Sequence, residues 1–261
     1  MRVAGSALTF SREPLGEALA ALRRLGFECV ELAALHGWAH IDPSRLADDP
    51  EAETAAVRLA LARAGVRAVG INAGLGAAAA AQRQRRAHAL FRLAAACGIP
   101  VVTLPAGPAA DGAAAAAGDL RPLVHAAAQY GVTLAVETHI GAVTQDPAAA
   151  AALCRAVPGL RLTLDPSHYW AGPAQGLGWE AAVPYVAHVH LRDAGLGGWP
   201  EIQSWPGRGA VDFPAVDGAL RAAGYAGARA VEYIDTLPVS GGGTAAEAAV
   251  EMARRAEAWG A

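Results

Sequence analysis

Eight short apolar runs alternate with alanine-rich segments along almost the whole chain. The runs are RVAGSAL (2–8), FECVELA (27–33), VRAVGIN (66–72), IPVVTLP (99–105), VTLAVET (132–138), LRLTLDP (160–166), VAHVHLR (186–192) and ARAVEYI (228–234). Most of them are continuously apolar, which is typical of parallel strands buried on both faces. This alternation limits the fold strongly, because consecutive parallel strands need a crossover connection between them.

The segments between the runs carry apolar residues at helical spacing, as in PLGEALAALRRLG, PEAETAAVRLALARAG and QRQRRAHALFRLAAACG. These three end at Gly26, Gly65 and Gly98, which is typical of the position that follows a helix. Eight strand–helix units in 261 residues favour a single (β/α)8 TIM barrel of the α/β class over an open doubly wound sheet. We therefore predict one barrel domain over residues 1–261. The first strand–helix junction has no GxGxxG, so nothing favours a dinucleotide-binding fold.

Charge and composition exclude several classes of function. The formal net charge of −3 argues against binding to nucleic acid or to an anionic membrane. All 21 basic residues are arginine, so Schiff-base chemistry on a lysine and a P-loop lysine are both excluded. The N-terminal stretch lacks the long apolar segment of a signal peptide, and we expect a soluble cytoplasmic protein. The three scattered cysteines are expected to be reduced packing residues.

Four potential metal ligands stand at the carboxyl ends of the last four predicted strands. They are Glu137, Asp165, His190 and Glu232. Strand ends at this face of a barrel meet in one ring, where three bare carboxylates would repel one another and raise their pKa values. A divalent cation would neutralise them. Three oxygens and one imidazole suit one hard or borderline divalent ion such as Mn²⁺, Mg²⁺ or Co²⁺, and they are also compatible with Zn²⁺. Mn²⁺ is the ion that we expect.

Any one of these residues alone is equally compatible with a structural role, as a strand cap or as the partner of an arginine. Their occurrence on four consecutive strands favours the metal site. Glu137 and Glu232, from the fifth and eighth strands, could also flank a bound substrate, so that one removes a proton and the other returns it.

Other residues near the same ring are candidate substrate contacts. Glu31 closes the second run and could bind a substrate hydroxyl or an arginine. His139 could orient a ligand or touch substrate, and Arg192 and Arg208 could bind a phosphate or a carboxylate through two hydrogen bonds. His188 lies two residues before His190 and therefore faces the same side of the strand. We interpret it as structural. The long connection 193–213, rich in Gly, Pro and Trp, is expected to cover the barrel mouth.

Five motifs together resemble those of the xylose isomerase-like sugar phosphate isomerase/epimerase superfamily. They are LAVETH, LDPSH, HVHLRDA, PGRGAVDF and AVEYID. The resemblance implies that the residues matching the four strand-end positions bind one divalent metal and that the two glutamates act as the acid/base pair. It also implies that His168 and an arginine after His190 contact the substrate. The implied reaction is proton abstraction beside a carbonyl of a small carbohydrate, and the resemblance leaves homo-oligomerisation open.

Departures from the superfamily's patterns narrow this expectation. The third and fourth runs end at Asn72 and Pro105, so the extra histidine ligands of the DNA-repair relatives are missing. Ketose 3-epimerases place an arginine where this chain has Leu196. We predict a metal-dependent isomerase or epimerase acting on a small sugar, keto-sugar or polyol-derived ketone. The alternatives are a lyase of the inosose or dehydroshikimate dehydratase type, a barrel subunit of a hetero-complex, or a non-catalytic ligand binder.

Overall fold

Eight parallel strands close into a barrel in the computed structural model, which describes residues 2–259. The strands of the sheet are β1 (Val3–Ser6), β2 (Cys29–Leu35), β3 (Ala39–His40), β4 (Arg67–Gly74), β5 (Val101–Leu104), β6 (Thr133–Glu137), β7 (Arg161–Leu164), β8 (Val186–Leu191) and β9 (Arg229–Val231). The prediction of a (β/α)8 barrel is confirmed. Six of the eight predicted runs contain a strand of the barrel, and β2 and β4 extend two residues beyond the other two runs.

Closure of the barrel depends on β1, which pairs in parallel with β2 on one side and β9 on the other. Gly5 is paired with a residue of each neighbouring strand, Val30 in β2 and Val231 in β9. The sequence did not predict β3. This two-residue strand pairs antiparallel with the end of β2, and it is too short to leave a periodic pattern.

The helices surround the barrel and begin and end with clear signals. They are α1 (Leu15–Arg24), α2 (Pro43–Asp48), α3 (Pro50–Ala64), α4 (Ala80–Ala96), α5 (Gly112–Gln129), α6 (Pro147–Ala156), α7 (Pro166–Ala171), α8 (Phe213–Ala222) and α9 (Ala245–Trp259). Gly26, Gly65 and Gly98 all have positive φ directly after a helix, as predicted. No helix within residues 2–259 is long and apolar enough to cross a membrane.

The main hydrophobic core lies between the barrel and its helices, where side chains such as Leu22, Phe91 and Leu153 are buried. The barrel interior itself is partly polar. Thr103 and Thr163 share a buried hydrogen bond of 2.7 Å there. Layers of branched apolar side chains usually fill the interior of such barrels. Here the polar interior continues to the carboxyl ends of the strands, where a cluster of acidic and histidine side chains lies.

The connection between β8 and α8 is held in place by one buried carboxylate. Asp193 accepts backbone N–H bonds from Ala194, Gly207, Gly209 and Val211 at 2.7–3.4 Å. These four donors span most of the connection, so a single side chain fixes its path over the barrel mouth.

Replacing Asp193 with alanine should therefore lower the free energy of unfolding by about 2–4 kcal/mol, because one buried and three partly buried N–H groups lose a charged acceptor. Urea unfolding followed by tryptophan fluorescence would measure the loss. Asp119→Ala is the matched control: that carboxylate is exposed and pairs with Arg83 at the surface, so a change within about 0.5 kcal/mol is expected. Equal effects of the two substitutions would contradict the assigned role.

Candidate active site

Four side chains converge where the strands β6 to β9 end. Glu137 is the last residue of β6, Asp165 follows β7, His190 lies in β8 and Glu232 follows β9. One ligand atom from each lies within 4.8 Å of all the others. The structure thus brings together the four residues that the sequence indicated as candidate metal ligands, because the carboxyl ends of parallel barrel strands meet at one face.

His190 stands at the centre of this cluster and is fully buried. Its Nδ1 lies 2.8 Å from Glu137 Oε1 and 3.6 Å from Glu232 Oε2. Its Nε2 lies 3.0 Å from Glu31 Oε1 on the opposite side of the ring. Every polar atom of this imidazole therefore faces a carboxylate.

Asp165 has two roles at once. It is the N-cap of α7, because Oδ1 accepts hydrogen bonds from the backbone N–H and the hydroxyl of Ser167 at 2.9 and 2.6 Å. Its Oδ2 accepts a hydrogen bond from Arg192 Nη2 at 2.6 Å. Asp165 can therefore serve as a helix cap and arginine partner and also as a candidate metal ligand, because a carboxylate offers about four lone pairs.

Negative charge exceeds positive charge around the cluster. Burial raises the pKa of Glu232 to about 7, assisted by repulsion from Glu137 and Asp165 and opposed by attraction to His190 and Arg192. Burial also works against the charge of Glu137, yet its hydrogen bond with His190 lowers its pKa. Three oxygens, one imidazole nitrogen and a surplus of negative charge fit a divalent cation.

Arg192 lies beside the cluster, at the bottom of the cavity that opens above it. Besides Asp165, its guanidinium bonds to Ser167 Oγ at 3.1 Å and His168 Nε2 at 2.9 Å, and it lies 3.5 Å from Glu232. Burial and the adjacent positive charge of Arg192 hold the pKa of His168 well below its usual value. His168 is therefore a neutral imidazole at physiological pH.

A cavity of about 600 Å³ opens above the cluster. Glu137, Glu232, Arg192 and Asn72 form its polar floor. One wall is aromatic: the rings of His139 and His168 lie 3.9 Å apart, and Trp199 stacks on His168 at 6.0 Å. The remaining lining is largely apolar and includes Leu8, Leu35, Trp38, Ile140, Ile234 and Leu237.

The five predicted substrate contacts are not all in this cavity. His139, His168 and Arg192 line it. Glu31 lies beneath its floor, has no exposed surface and bonds to His188 and His190. Arg208 is exposed and donates a hydrogen bond to the carbonyl of Gly241.

Two contributors to the site were missed by the sequence reasoning. Asn72 Nδ2 donates a hydrogen bond of 2.8 Å to Glu232 Oε1, although the strand end at Asn72 was noted only for lacking a histidine. Trp199 completes the aromatic wall, and the only signal for it was its position in the long connection over the mouth.

Comparison with known proteins places the chain in a well-populated structural group. The family model of the xylose isomerase-like TIM barrel matches residues 19–256. No curated protein matches the chain in sequence. Similar solved structures include a D-allulose 3-epimerase from Methylomonas sp. in complex with D-allulose, with 18% identity, a TM-score of 0.74, and coverage of 99% of this chain and 96% of the other.

Two other structures are comparably similar. A xylose isomerase-like TIM barrel protein from Mycobacterium smegmatis in complex with magnesium has 16% identity, a TM-score of 0.76 and coverage of 99% and 96%. The probable 3-DHS dehydratase AsbF from Bacillus anthracis has 16% identity, a TM-score of 0.73 and coverage of 98% and 99%. At these identities the likeness establishes the fold.

Proposed function

This chain belongs to the xylose isomerase-like TIM barrel family, and we propose that it is a divalent-metal-dependent isomerase or epimerase of a small sugar, keto-sugar or polyol-derived ketone. The observation that carries the proposal is the convergence of Glu137, Asp165, His190 and Glu232 within 4.8 Å beneath an open cavity. Mn²⁺ is the proposed ion. The three cysteines are free thiols, which fits the reducing cytoplasm that we propose as the location.

The ion would supply polarisation of the substrate's carbonyl and hydroxyl oxygens and would stabilise the enediolate charge. Glu137 and Glu232 reach the cavity from β6 and β9, and both face Nδ1 of His190. In the proposed reaction one of them removes the proton beside the carbonyl and the other returns it. Asn72 would hold Glu232 in place through its hydrogen bond to Oε1.

The walls of the cavity favour an uncharged substrate with one apolar face. The aromatic group of His139, His168 and Trp199 suits the C–H face of a sugar ring. Arg192 is the one arginine of the described residues that lines the cavity, and its guanidinium is already paired with Asp165. We therefore expect no phosphate subsite there.

Hydrogen exchange tests the proposal directly. The protein with Mn²⁺ is incubated in D₂O with a panel of ketoses, inososes and hydroxypyruvate, and NMR follows deuterium uptake beside the carbonyl. Uptake that a chelator abolishes is the expected result. The absence of uptake on every compound, with the metal bound, would overturn the enzymatic proposal and favour a ligand binder or a subunit that requires a partner.

A dehydratase is the second candidate, because the fold is shared with the probable 3-DHS dehydratase AsbF. Both reactions begin with the same proton abstraction, and a lyase then expels the β-hydroxyl as water. Mass spectrometry of the product distinguishes them: an epimerase leaves the mass of the substrate unchanged, whereas a dehydratase lowers it by one water molecule.

Replacing His168 with alanine should raise KM about 3–10-fold with a smaller effect on kcat, because it removes one neutral hydrogen-bonding and stacking partner of the ground-state substrate. Steady-state kinetics on the substrate identified by exchange would measure this split. His88→Ala, which removes an exposed histidine of α4, is the control and should leave both constants unchanged. A loss confined to kcat would contradict a binding role for His168.

A further inference from the structure

Beneath the cavity floor, three buried side chains from facing walls of the barrel form one hydrogen-bonded group. Glu31 comes from β2, and His188 and His190 come from β8, with β1 and β9 between them in the sheet. Glu31 Oε1 lies 2.8 Å from His188 Nε2 and 3.0 Å from His190 Nε2. All three residues are at most 1% exposed.

We propose that Glu31 is a positioning residue for the metal ligand His190, whose imidazole it orients and whose tautomer it fixes. The inference rests on the proposed metal site. It does not require that the substrate be known.

The geometry of the imidazole carries the argument. A histidine that binds a metal offers the lone pair of one ring nitrogen and carries hydrogen on the other. In His190, Nδ1 faces Glu137 and Glu232, whereas Nε2 faces Glu31. An ionised carboxylate only accepts hydrogen bonds, so without an ion Glu137 and Glu31 would each accept one from His190, at Nδ1 and Nε2. An ion bound among the four ligands would take the place of the Nδ1 proton, whereas Glu31 would keep the N–H at Nε2. The lone pair is then left on Nδ1, which points toward the other three ligands.

The surroundings of Glu31 are shaped for this contact. Both imidazoles bond to the same oxygen, Oε1, and no partner among residues 2–259 lies within hydrogen-bond distance of Oε2. A Cβ on Gly70 would lie 3.1 Å from His188 Nε2 and 3.3 Å from Glu31 Oε1, so the strand beside the group leaves room only for a residue without a side chain. A buried carboxylate with one unpartnered oxygen is costly, and its bond to a metal-ligating histidine would explain why it is there.

A second ion between Glu31, His188 and His190 is the competing interpretation, since their ligand atoms also lie within 4.8 Å of one another. Such an ion would have to bind Nε2 of His190 while the first binds Nδ1. His190 would then have to bridge the two ions as an imidazolate anion, which requires removal of the second ring proton as well. One ion per chain is therefore expected.

The test compares Glu31→Leu, Glu31→Gln and the matched control His188→Gln. Titration calorimetry of each purified, metal-free protein with Mn²⁺ gives affinity and stoichiometry. We expect Glu31→Leu to bind Mn²⁺ about 10–100-fold more weakly. Glu31→Gln should recover most of the affinity because its amide oxygen still accepts the Nε2 hydrogen. His188→Gln, equally buried, should stay within about threefold of the wild type.

A spectroscopic readout separates orientation from simple loss of structure. In the Mg²⁺-loaded wild type, ¹⁵N NMR of the ring should show His190 protonated at Nε2 and bare at Nδ1. Protonation at Nδ1, a stoichiometry of two, unchanged affinity in Glu31→Leu, or equal losses in Glu31→Leu and His188→Gln would each overturn the proposal. If Glu31→Leu does not fold, the wild-type spectrum and Glu31→Gln still decide it. If the protein binds metal as expected but catalyses no hydrogen exchange on any substrate, the proposed function is refuted and the role proposed for Glu31 stands.

Discussion

Glu232→Gln should reduce proton exchange on the substrate by about 100–10,000-fold, the range for loss of a general acid or base, while the barrel stays folded. Glutamine has the same shape, and its oxygen can still accept the hydrogen bond that Asn72 donates. The NMR exchange assay measures the rate, and circular dichroism checks the fold. Glu180→Gln, at an exposed glutamate, is the control. A fully active Glu232→Gln would remove this residue from the acid/base pair.

The same variant should differ from the wild type in the pH dependence of stability when no metal is bound. The pKa of Glu232 is raised from 4.5 to about 7 by burial, so folding favours its protonated form. Its contribution is fully present below pH 4.5 and is lost as the pH rises to about 7, by about 3 kcal/mol in all. Glu232→Gln cannot ionise and should lack this loss. Urea unfolding of the two metal-free proteins at pH 5 and pH 8 would reveal the difference, and parallel curves would contradict it.

Removal of the metal should abolish activity and lower the melting temperature. An ion present at 100 times its Kd stabilises the folded state by about 2.7 kcal/mol, which corresponds to about 5–10 °C for a chain of this size. Thermal unfolding with and without Mn²⁺, after treatment with a chelator, measures the shift. Repeating it with Mg²⁺, Co²⁺ and Zn²⁺ ranks the ions.

Two aspartates provide a matched pair for this experiment. Asp146 caps α6 through Ala149 N–H as Asp165 caps α7 through Ser167 N–H, and in both a proline follows. Each alanine variant should lose about 1 kcal/mol for the cap, and Asp165→Ala should lose about 3–5 kcal/mol more because the buried guanidinium of Arg192 loses this carboxylate. Only Asp165→Ala should also lose the Mn²⁺-dependent rise in melting temperature. The same rise in both variants would show that Asp165 is a helix cap and an arginine partner, with no part in metal binding.

Local pattern was sufficient to predict the barrel. The runs that became β4 to β9 are continuous and apolar, and glycine marks the ends of several helices, so both signals lie within a few adjacent residues. The convergence of Glu137, Asp165, His190 and Glu232 also followed from local positions, because barrel closure alone brings strand ends together. Their roles as ligands stay predictions.

What the sequence did not predict depends on contacts across the barrel. The sequence placed Glu31 at a strand end, but β2 continues to Leu35, so Glu31 lies in mid-strand below the other candidates, where it meets His188 and His190. Asn72 meets Glu232, 160 positions away. The alternation of side chains along a strand tells which side of the sheet a residue faces. The depth of that side chain within the barrel depends on strand tilt and register, which leave no signal in one sequence.

The site is divided between the two halves of the barrel. All four candidate ligands lie in strands β6 to β9 or directly after them, whereas Glu31 and Asn72, which bond to two of these ligands, come from β2 and β4. A chain cut within α5 would therefore separate the ligands from the residues that orient them. The C-terminal fragment would contain every group needed to bind an ion and lack the framework that aims them. In the proposed centre, one half-barrel would supply the ligands and the other would align them.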